Sequence, residues 1–460
     1  MLFNSNVFIG FLILVVYIYY LLTPHYRRLF LLISSYIFYA AWSVPFCFLL
    51  LFSSWMNYVT AKLINSATEP RYRTITLVVS LFINLGILSF FKYANFFSDT
   101  VYALFGYQPW HQINIILPLG ISFYTFELVS YTIDVYRRQT QVCQSFLDVA
   151  LYTVFFPHLI AGPIIRASQL MPQLTCHHSL DWVSIRLGIA QILWGMAKKI
   201  YIGDPMGLIV SEAYSAPEQV SGLGLFLATY AFAVQIYCDF SGYSDIAIGA
   251  ARLVGINLPD NFNHPYLACS IRDFWRRWHI TLSSWLRDYL YISLGGNRYS
   301  VTRTYINLMI TMLLGGLWHG AGWNWVVWGG LQGLMLSFER ATGFESTTHL
   351  SGLQKWLRWF ITFHLVCLSW VFFRSHNLNE ALLILQRFFN LSEGWVPTDM
   401  RPLFYLGLLL VAEIGDWRTK WSHWIERQPI ATKWITYASM VILIFTFAGA
   451  SNSEFIYFQF

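Results

Sequence analysis

Charge is what this chain has least of. Only 11% of its 460 residues are Asp, Glu, Lys or Arg, where a soluble protein carries roughly a quarter. With 56% hydrophobic residues and a mean hydropathy of +0.49, that shortage excludes a soluble globule. It implies an all-α, polytopic integral membrane protein. Runs of five or more basic residues are also missing, so the net charge of +6 is no nucleic-acid footprint. Cys47, Cys143, Cys176, Cys238, Cys269 and Cys367 stand singly, with no CxxC pair to suggest a metal or redox site. They read as small apolar core residues. Low-complexity tracts, soluble domains and internal repeats are absent, so residues 1–460 read as a single membrane domain. Its core lies at about 115–340, with C-terminal spans and an aromatic tail over 350–460.

Familiar catalytic signatures are missing as well. The closest approach to a GxSxG elbow, at 242–246, ends on Ile246 where a glycine is needed. There is no Walker A loop, GxGxxG fingerprint or HExxH motif. These gaps argue against an ATP-driven or redox enzyme.

What is present is a succession of apolar segments. Expected spans cover residues 7–22, 29–42, 46–61, 75–91, 117–133, 146–160, 187–202, 223–248, 304–317, 323–337, 357–373, 403–414 and 434–447. Hydropathy therefore points to about eleven to fourteen membrane segments. Several fall short of the roughly 20 residues a straight span needs, which implies broken or re-entrant helices. The first run has no basic residue before it and no small-residue cleavage site after it, so it reads as a retained span. Arg27 and Arg28 follow directly, which places the N-terminus outside and these arginines in the cytoplasm.

Five stretches carry polar groups where hydropathy alone would not put them. In 117–138, Glu127 and Asp134 share a helix face, and pairing within the bundle accounts for them. In 155–166, Pro157 and Pro163 break the helix around His158 and Gly162, with His158 reading as structural. In 237–249, Asp239 and Asp245 lie among small residues that permit close helix approach.

From 272 to 291, Phe274, Trp278, Leu282, Trp285 and Tyr289 form one helical stripe. Arg272, Arg276, His279, Ser283 and Arg287 form another. That pattern predicts one amphipathic helix. Either it lies at the membrane surface, or Arg272, Arg276 and Arg287 hold the phosphates of a donor, for which the planar guanidinium is suited.

The fifth stretch, 313–333, places His319 in a Trp-His-Gly sequence within an uncharged run rich in glycine and tryptophan. An imidazole at membrane depth is a functional candidate, and its ordinary pKa suits proton transfer near neutrality.

The segments LPLGISFYTF, FFPHLIAGPIIR, CDFSGYSDIAIG, FWRRWHITLSSWLRDYLYISLGGNR and LLGGLWHGAGWNWVVWGGLQG, with MLFNSNVF and FIYFQF at the ends, occur in one order over nearly the whole chain. Together they resemble the membrane-bound O-acyltransferase family, in the branch of bacterial alginate O-acetylases. Peptidoglycan O-acetyltransferases and the membrane acyltransferase of teichoic-acid D-alanylation are relatives of that branch. The resemblance implies a ring of tilted and re-entrant helices around a central funnel. It also implies acetyl transfer from cytoplasmic acetyl-CoA, as co-substrate with no bound cofactor or metal, to an extracytoplasmic polysaccharide such as alginate. The expected location is the bacterial inner membrane. The expected partners are a periplasmic SGNH-type acetyltransferase or esterase and a polysaccharide biosynthesis and export complex.

The family's invariant histidine matches His319 and a second, commonly retained one matches His279, whose role is either catalytic or channel-shaping. An oxyanion would be met by the Trp318 indole or by amides near Gly315, Gly316 or Gly320. In the tail, Tyr457 is either an interfacial anchor or, by resemblance to the F-x-Y-x-F ending of a small D-alanylation partner, an acyl carrier. A Tyr457→Phe variant keeps the ring, removes the acceptor oxygen and so separates the two. A polysaccharide or lipid transporter and a recruiting scaffold are the alternatives from other classes, and neither predicts His319-dependent thioester consumption.

Overall fold

A computed structural model describes residues 1, 3, 5–344, 351–390, 393–396, 404, 407, 410, 424–425 and 427–447. Regular structure among them is helical. Four helices are long and apolar enough to cross a membrane: Val44–Ser66, Pro70–Phe105, Gly222–Leu253 and Gly352–Arg374. Most of the expected span at 403–414, and Tyr457, lie outside the described residues. Contacts divide the chain into one unit of Met1–Ile192 with Ser244–Pro259 and a second of Leu193–Tyr243 with Asp260–Phe460.

The first unit begins with α1 (Asn6–Leu21), α2 (Pro24–Ala40), α3 (Val44–Ser66) and α4 (Pro70–Phe105), followed by the almost wholly buried α5 (Ile121–Tyr136). Polar side chains tie α5 to its neighbours. The Thr132 hydroxyl donates to Asn57 Oδ1 at 2.8 Å, and Asn57 in turn donates to Asn84 Oδ1 at 3.0 Å. The short α6 (Phe146–Val154) starts on a Ser145 cap, and its Asp148 accepts from Arg28 of α2 at 2.9 Å. After α6 the chain leaves the helix for buried, irregular backbone, as the prolines predicted. Glu127 pairs there with His158 Nδ1 at 3.1 Å and accepts from the Ile165 amide at 3.3 Å. His158 also contacts the Tyr152 carbonyl at 3.1 Å, so the structural reading of Glu127 and His158 holds. Helices α7 (Ala167–Thr175) and α8 (Trp182–Ala197) follow.

The second unit opens on the last residues of α8, from Leu193 onward, and continues through a π-helical segment, Lys198–Gly203, into α9 (Asp204–Ser215). The long α10 (Gly222–Leu253) contributes its residues up to Tyr243. Then come α11 (Ile271–Arg277), α12 (Ile280–Trp285) and a second π-helical segment, Leu286–Tyr291. Helices α13 (Val301–His319), α14 (Trp323–Thr342), α15 (Gly352–Arg374), α16 (Leu378–Phe389) and α17 (Ile430–Phe447) complete it.

Here the single amphipathic helix expected over 272–291 is corrected. His279 takes a left-handed conformation, φ 42° and ψ 54°, which ends α11 and restarts the chain as α12. The aromatic stripe is buried as expected, and Arg272, Arg276 and Arg287 are exposed. His279 does not share their face, because it is fully buried.

Helices α13 and α14 pack backbone to backbone. A Cβ at Gly316 would overlap the Trp325 carbonyl, and one at Gly329 would overlap the Met312 carbonyl. Gly329 and Gly333, four residues apart on α14, form the small-residue face that lets membrane helices approach closely. Gly316→Val should therefore destabilise the protein by more than the about 1–3 kcal/mol typical of overpacking. Gly330→Ala, whose Cβ would meet only Leu313 at an ordinary 3.5 Å, should be tolerated. Thermal unfolding of both variants in detergent checks this, and equal midpoints would contradict the packing assigned to Gly316.

Candidate active site

His319 is the last residue of α13. The chain then runs through extended Gly320 and Gly322 before α14 begins at Trp323. Gly320 has no room for a side chain, because a Cβ would overlap the Trp325 indole. The tight link folds α14 back beside His319, which is 4% exposed. Its ring centroid lies 4.9 Å from Trp318, 5.2 Å from Trp328, 5.2 Å from Phe373 and 6.2 Å from Trp325. Three elements thus build an aromatic enclosure around one imidazole: α13, α14 and α15. Among the described residues, the buried indole N–H groups of Trp328 and Trp370 have no hydrogen-bond acceptor. Such buried donors are rare in folded proteins.

The second histidine reaches the same indole. The His279 ring lies 6.1 Å from Trp318 and 4.7 Å from Phe240 of α10. Its Nδ1 meets Asn261 Oδ1 at 3.2 Å. The structure therefore brings His319 and His279 onto one tryptophan, forty residues apart in sequence.

Arginines gather on one cleft of about 230 Å³. Arg272 and Arg287 line it, together with Arg340 of α14, which the sequence pattern missed. Arg276 is exposed and is not among the lining residues. Arg287 is braced by Asp288 at 2.7 Å. Arg272 is fixed from below: the Glu339 carboxylate accepts from the Ile271 and Arg272 amides at 2.6 and 3.1 Å, capping the start of α11. Trp275 also lines the cleft, and its ring lies 5.9 Å from Trp328, which borders His319. An aromatic path therefore connects the cationic cleft to the imidazole.

The two aspartates singled out in 237–249 have different surroundings. Asp239 and Asp204 clasp Lys199 between them at 2.6 and 2.7 Å, all three 2% exposed. Asp245 accepts from Gln191 at 3.2 Å. Lys199, Asp204, Glu339, Asn261 and Arg340 were missed in the sequence because their partners lie at separations with no helical or strand period. Of the oxyanion candidates, Trp318 touches both histidines, Gly320 lies just past the last helical residue, and Gly315 and Gly316 lie inside α13. No group of metal-ligating side chains occurs among the described residues.

Residues 135–375 match the profile of the membrane-bound O-acyltransferase family, and the chain belongs to that family of acyltransferases. It is similar to a probable alginate O-acetylase of Pseudomonas aeruginosa, 43% identical over 89% of this chain and 78% of the relative. A peptidoglycan O-acetyltransferase of Helicobacter pylori is 38% identical over 84% of this chain and 79% of the relative. A teichoic acid D-alanyltransferase of Bacillus subtilis is 28% identical over 58% of this chain and 71% of the relative.

The Lys199 cluster carries a stability prediction. Lys199→Met removes the cation between two buried carboxylates and should cost about 3–5 kcal/mol. Adding Asp204→Asn and Asp239→Asn should recover much of that loss in thermal unfolding. A triple variant no more stable than Lys199→Met would show that charge balance is not what the cluster provides.

Proposed function

We propose that this protein moves acetyl groups from cytoplasmic acetyl-CoA across the bacterial inner membrane for O-acetylation of an extracytoplasmic polysaccharide. The acceptor is alginate or a similar exopolysaccharide. The observation that carries the reading is the pairing of two buried histidines on Trp318, with an arginine-lined cleft joined to them through Trp275 and Trp328. The name of the Pseudomonas aeruginosa relative supports acetyl as the transferred group and alginate as the acceptor class. The Helicobacter relative supports peptidoglycan as the second reading of the acceptor.

The chemistry needs a base, because a hydroxyl is a weak nucleophile until its proton leaves. His319 takes that proton as the hydroxyl oxygen bonds to the thioester carbonyl carbon. The C–S bond then breaks, and the thiolate recovers the proton from the imidazolium. General acid–base help of this kind is worth roughly 10²–10⁴ in rate. The oxyanion formed between the two steps is met by the Trp318 indole or the amide of Gly320, with the Trp328 indole as a further donor; the Gly316 amide is held within α13. Arg272, Arg287 and Arg340 hold the donor's phosphates through charge-assisted bonds. A periplasmic SGNH-type transferase and the polysaccharide export machinery receive the group, and Tyr457 is its carrier on this chain.

Purified protein incubated with labelled acetyl-CoA tests the reading. Wild type should consume the thioester, and His319→Ala should lose at least ~100-fold while accumulating normally in the membrane. Undiminished turnover in His319→Ala would sink the assignment. The cleft makes a separate prediction, since each charge-assisted contact contributes about 1.5–3 kcal/mol. Arg272→Gln or Arg287→Gln should raise the donor KM by roughly ten- to hundred-fold, leaving folding intact. An unchanged KM would leave these arginines as interfacial residues.

A further inference from the structure

We infer that Asn261 is a positioning residue that holds His279 in its Nδ1–H tautomer, so that Nε2 offers a lone pair to the substrates. The inference rests on the acyl-transfer reading above and decides what His279 contributes to it.

The atom of Asn261 that faces the ring is its carbonyl oxygen. The oxygen of an amide side chain accepts hydrogen bonds and the nitrogen donates them, so their partners tell them apart. Here the partners decide. The backbone N–H of Thr281 points at Asn261 Oδ1 at 3.3 Å, and an N–H can only donate. The atom it meets must therefore be the carbonyl oxygen, because the amide nitrogen in that place would set donor against donor. The Thr281 hydroxyl donates to the same oxygen at 2.9 Å. His279 Nδ1 lies 3.2 Å from it. A carbonyl oxygen cannot donate, so Nδ1 carries the hydrogen and the neutral ring keeps its lone pair on Nε2.

Asn261 is suited to impose this state because it is itself held. It is 1% exposed, and its own carbonyl accepts from the Ile280 amide at 3.0 Å. One residue therefore grips positions 279, 280 and 281 together. It spans the left-handed turn at His279 that separates α11 from α12. A non-glycine residue persists in such a conformation only where its surroundings enforce it, and these bonds are that enforcement. The ring is wedged edge-to-face against Phe240 and lies 6.1 Å from the Trp318 ring, which also borders His319. Rotation to exchange the two nitrogens is thereby blocked.

The consequence for the reaction is specific. With hydrogen on Nδ1, His279 serves the substrates as a hydrogen-bond acceptor through Nε2, orienting an O–H or N–H of the bound pair. It does not donate to the oxyanion. The oxyanion is left to the indole and amide donors, and His319 remains the proton carrier.

The test reads the tautomer directly. Full-length protein labelled with ¹⁵N-histidine is reconstituted in lipid, and the His279 signals are identified by their loss in His279→Gln. The wild type should show a protonated Nδ1 and an unprotonated Nε2. Asn261→Leu should shift His279 toward the other tautomer and lower kcat for acetyl-CoA consumption by roughly 100-fold, the size of a lost substrate orientation, with the donor KM within twofold of wild type. Asn261→Asp keeps an acceptor facing Nδ1 and should restore the Nδ1–H signature and most of the turnover. A wild-type spectrum with hydrogen on Nε2, or one unchanged in Asn261→Leu, overturns the inference. So does a kcat loss in Asn261→Leu that Asn261→Asp does not rescue, since that result belongs to a purely structural clamp. A wild type that shows the expected tautomer but consumes no thioester overturns the acyl-transfer reading instead.

Discussion

Between α13 and α14 there is no layer of side chains at the point of closest approach. The Trp325 carbonyl occupies the space beside Gly316, and the Met312 carbonyl the space beside Gly329. In lipid, apolar side chains gain little by leaving the acyl chains for one another, so helices are held by close packing and polar contacts. Two carbonyls seated against two glycines are a contact that tolerates no slip. That register decides which residues of α14 stand beside the end of α13. It places Trp325 and Trp328 against His319. Through Trp328 it also ties the imidazole to Trp370 and Phe373 of α15. A larger residue at either glycine would displace the walls of the site before it touched the histidine.

The buried charges follow a common rule. A charge taken out of water is tolerated when an opposite charge and further hydrogen bonds are supplied at once. Glu127 has His158 and the Ile165 amide, and Lys199 has two carboxylates. Glu339 answers a different need, the first amides of a short helix that have no partner within it. By capping α11 from α14, it fixes the starting point of the segment that carries Arg272, Trp275 and His279. The cationic cleft and the aromatic enclosure are thus placed by the same helix, α14, one from each of its ends.

Most of the helices were legible as hydropathy. Each expected span from 7–22 through 357–373, and again 434–447, overlaps an observed helix. The broken backbone after α6 was legible from Pro157 and Pro163. What hydropathy cannot carry is a partner at an arbitrary separation. Lys199 finds Asp239 forty residues away, Arg340 joins Arg272 from another helix, and Asn261 reaches His279 across a 3₁₀ turn and α11. The misread stretch, 272–291, failed for the same reason. Its local period is that of one continuous amphipathic helix, and tertiary bonds from Asn261 and Asn263 meet the chain where it breaks at His279.

That break resolves a conflict written into the segment. An unbroken helix would hold His279 on the stripe of Arg272, Arg276 and Arg287, facing outward with them. On the proposed reading, the arginines need an open surface to meet an anionic donor, while the imidazole sits among aromatic rings near Trp318. One helical face cannot serve both demands within seven residues. A left-handed turn at a non-glycine residue is strained by about 1–3 kcal/mol. Here it rotates the chain so that the arginines stay exposed and the histidine is fully buried. Asn261, placed across the turn, converts that strain into a defined direction for the ring and a defined nitrogen for its lone pair. On the proposed reading, the departure from regular structure and the chemistry of the site are therefore one feature, and the sequence rule fails at a residue of the candidate site.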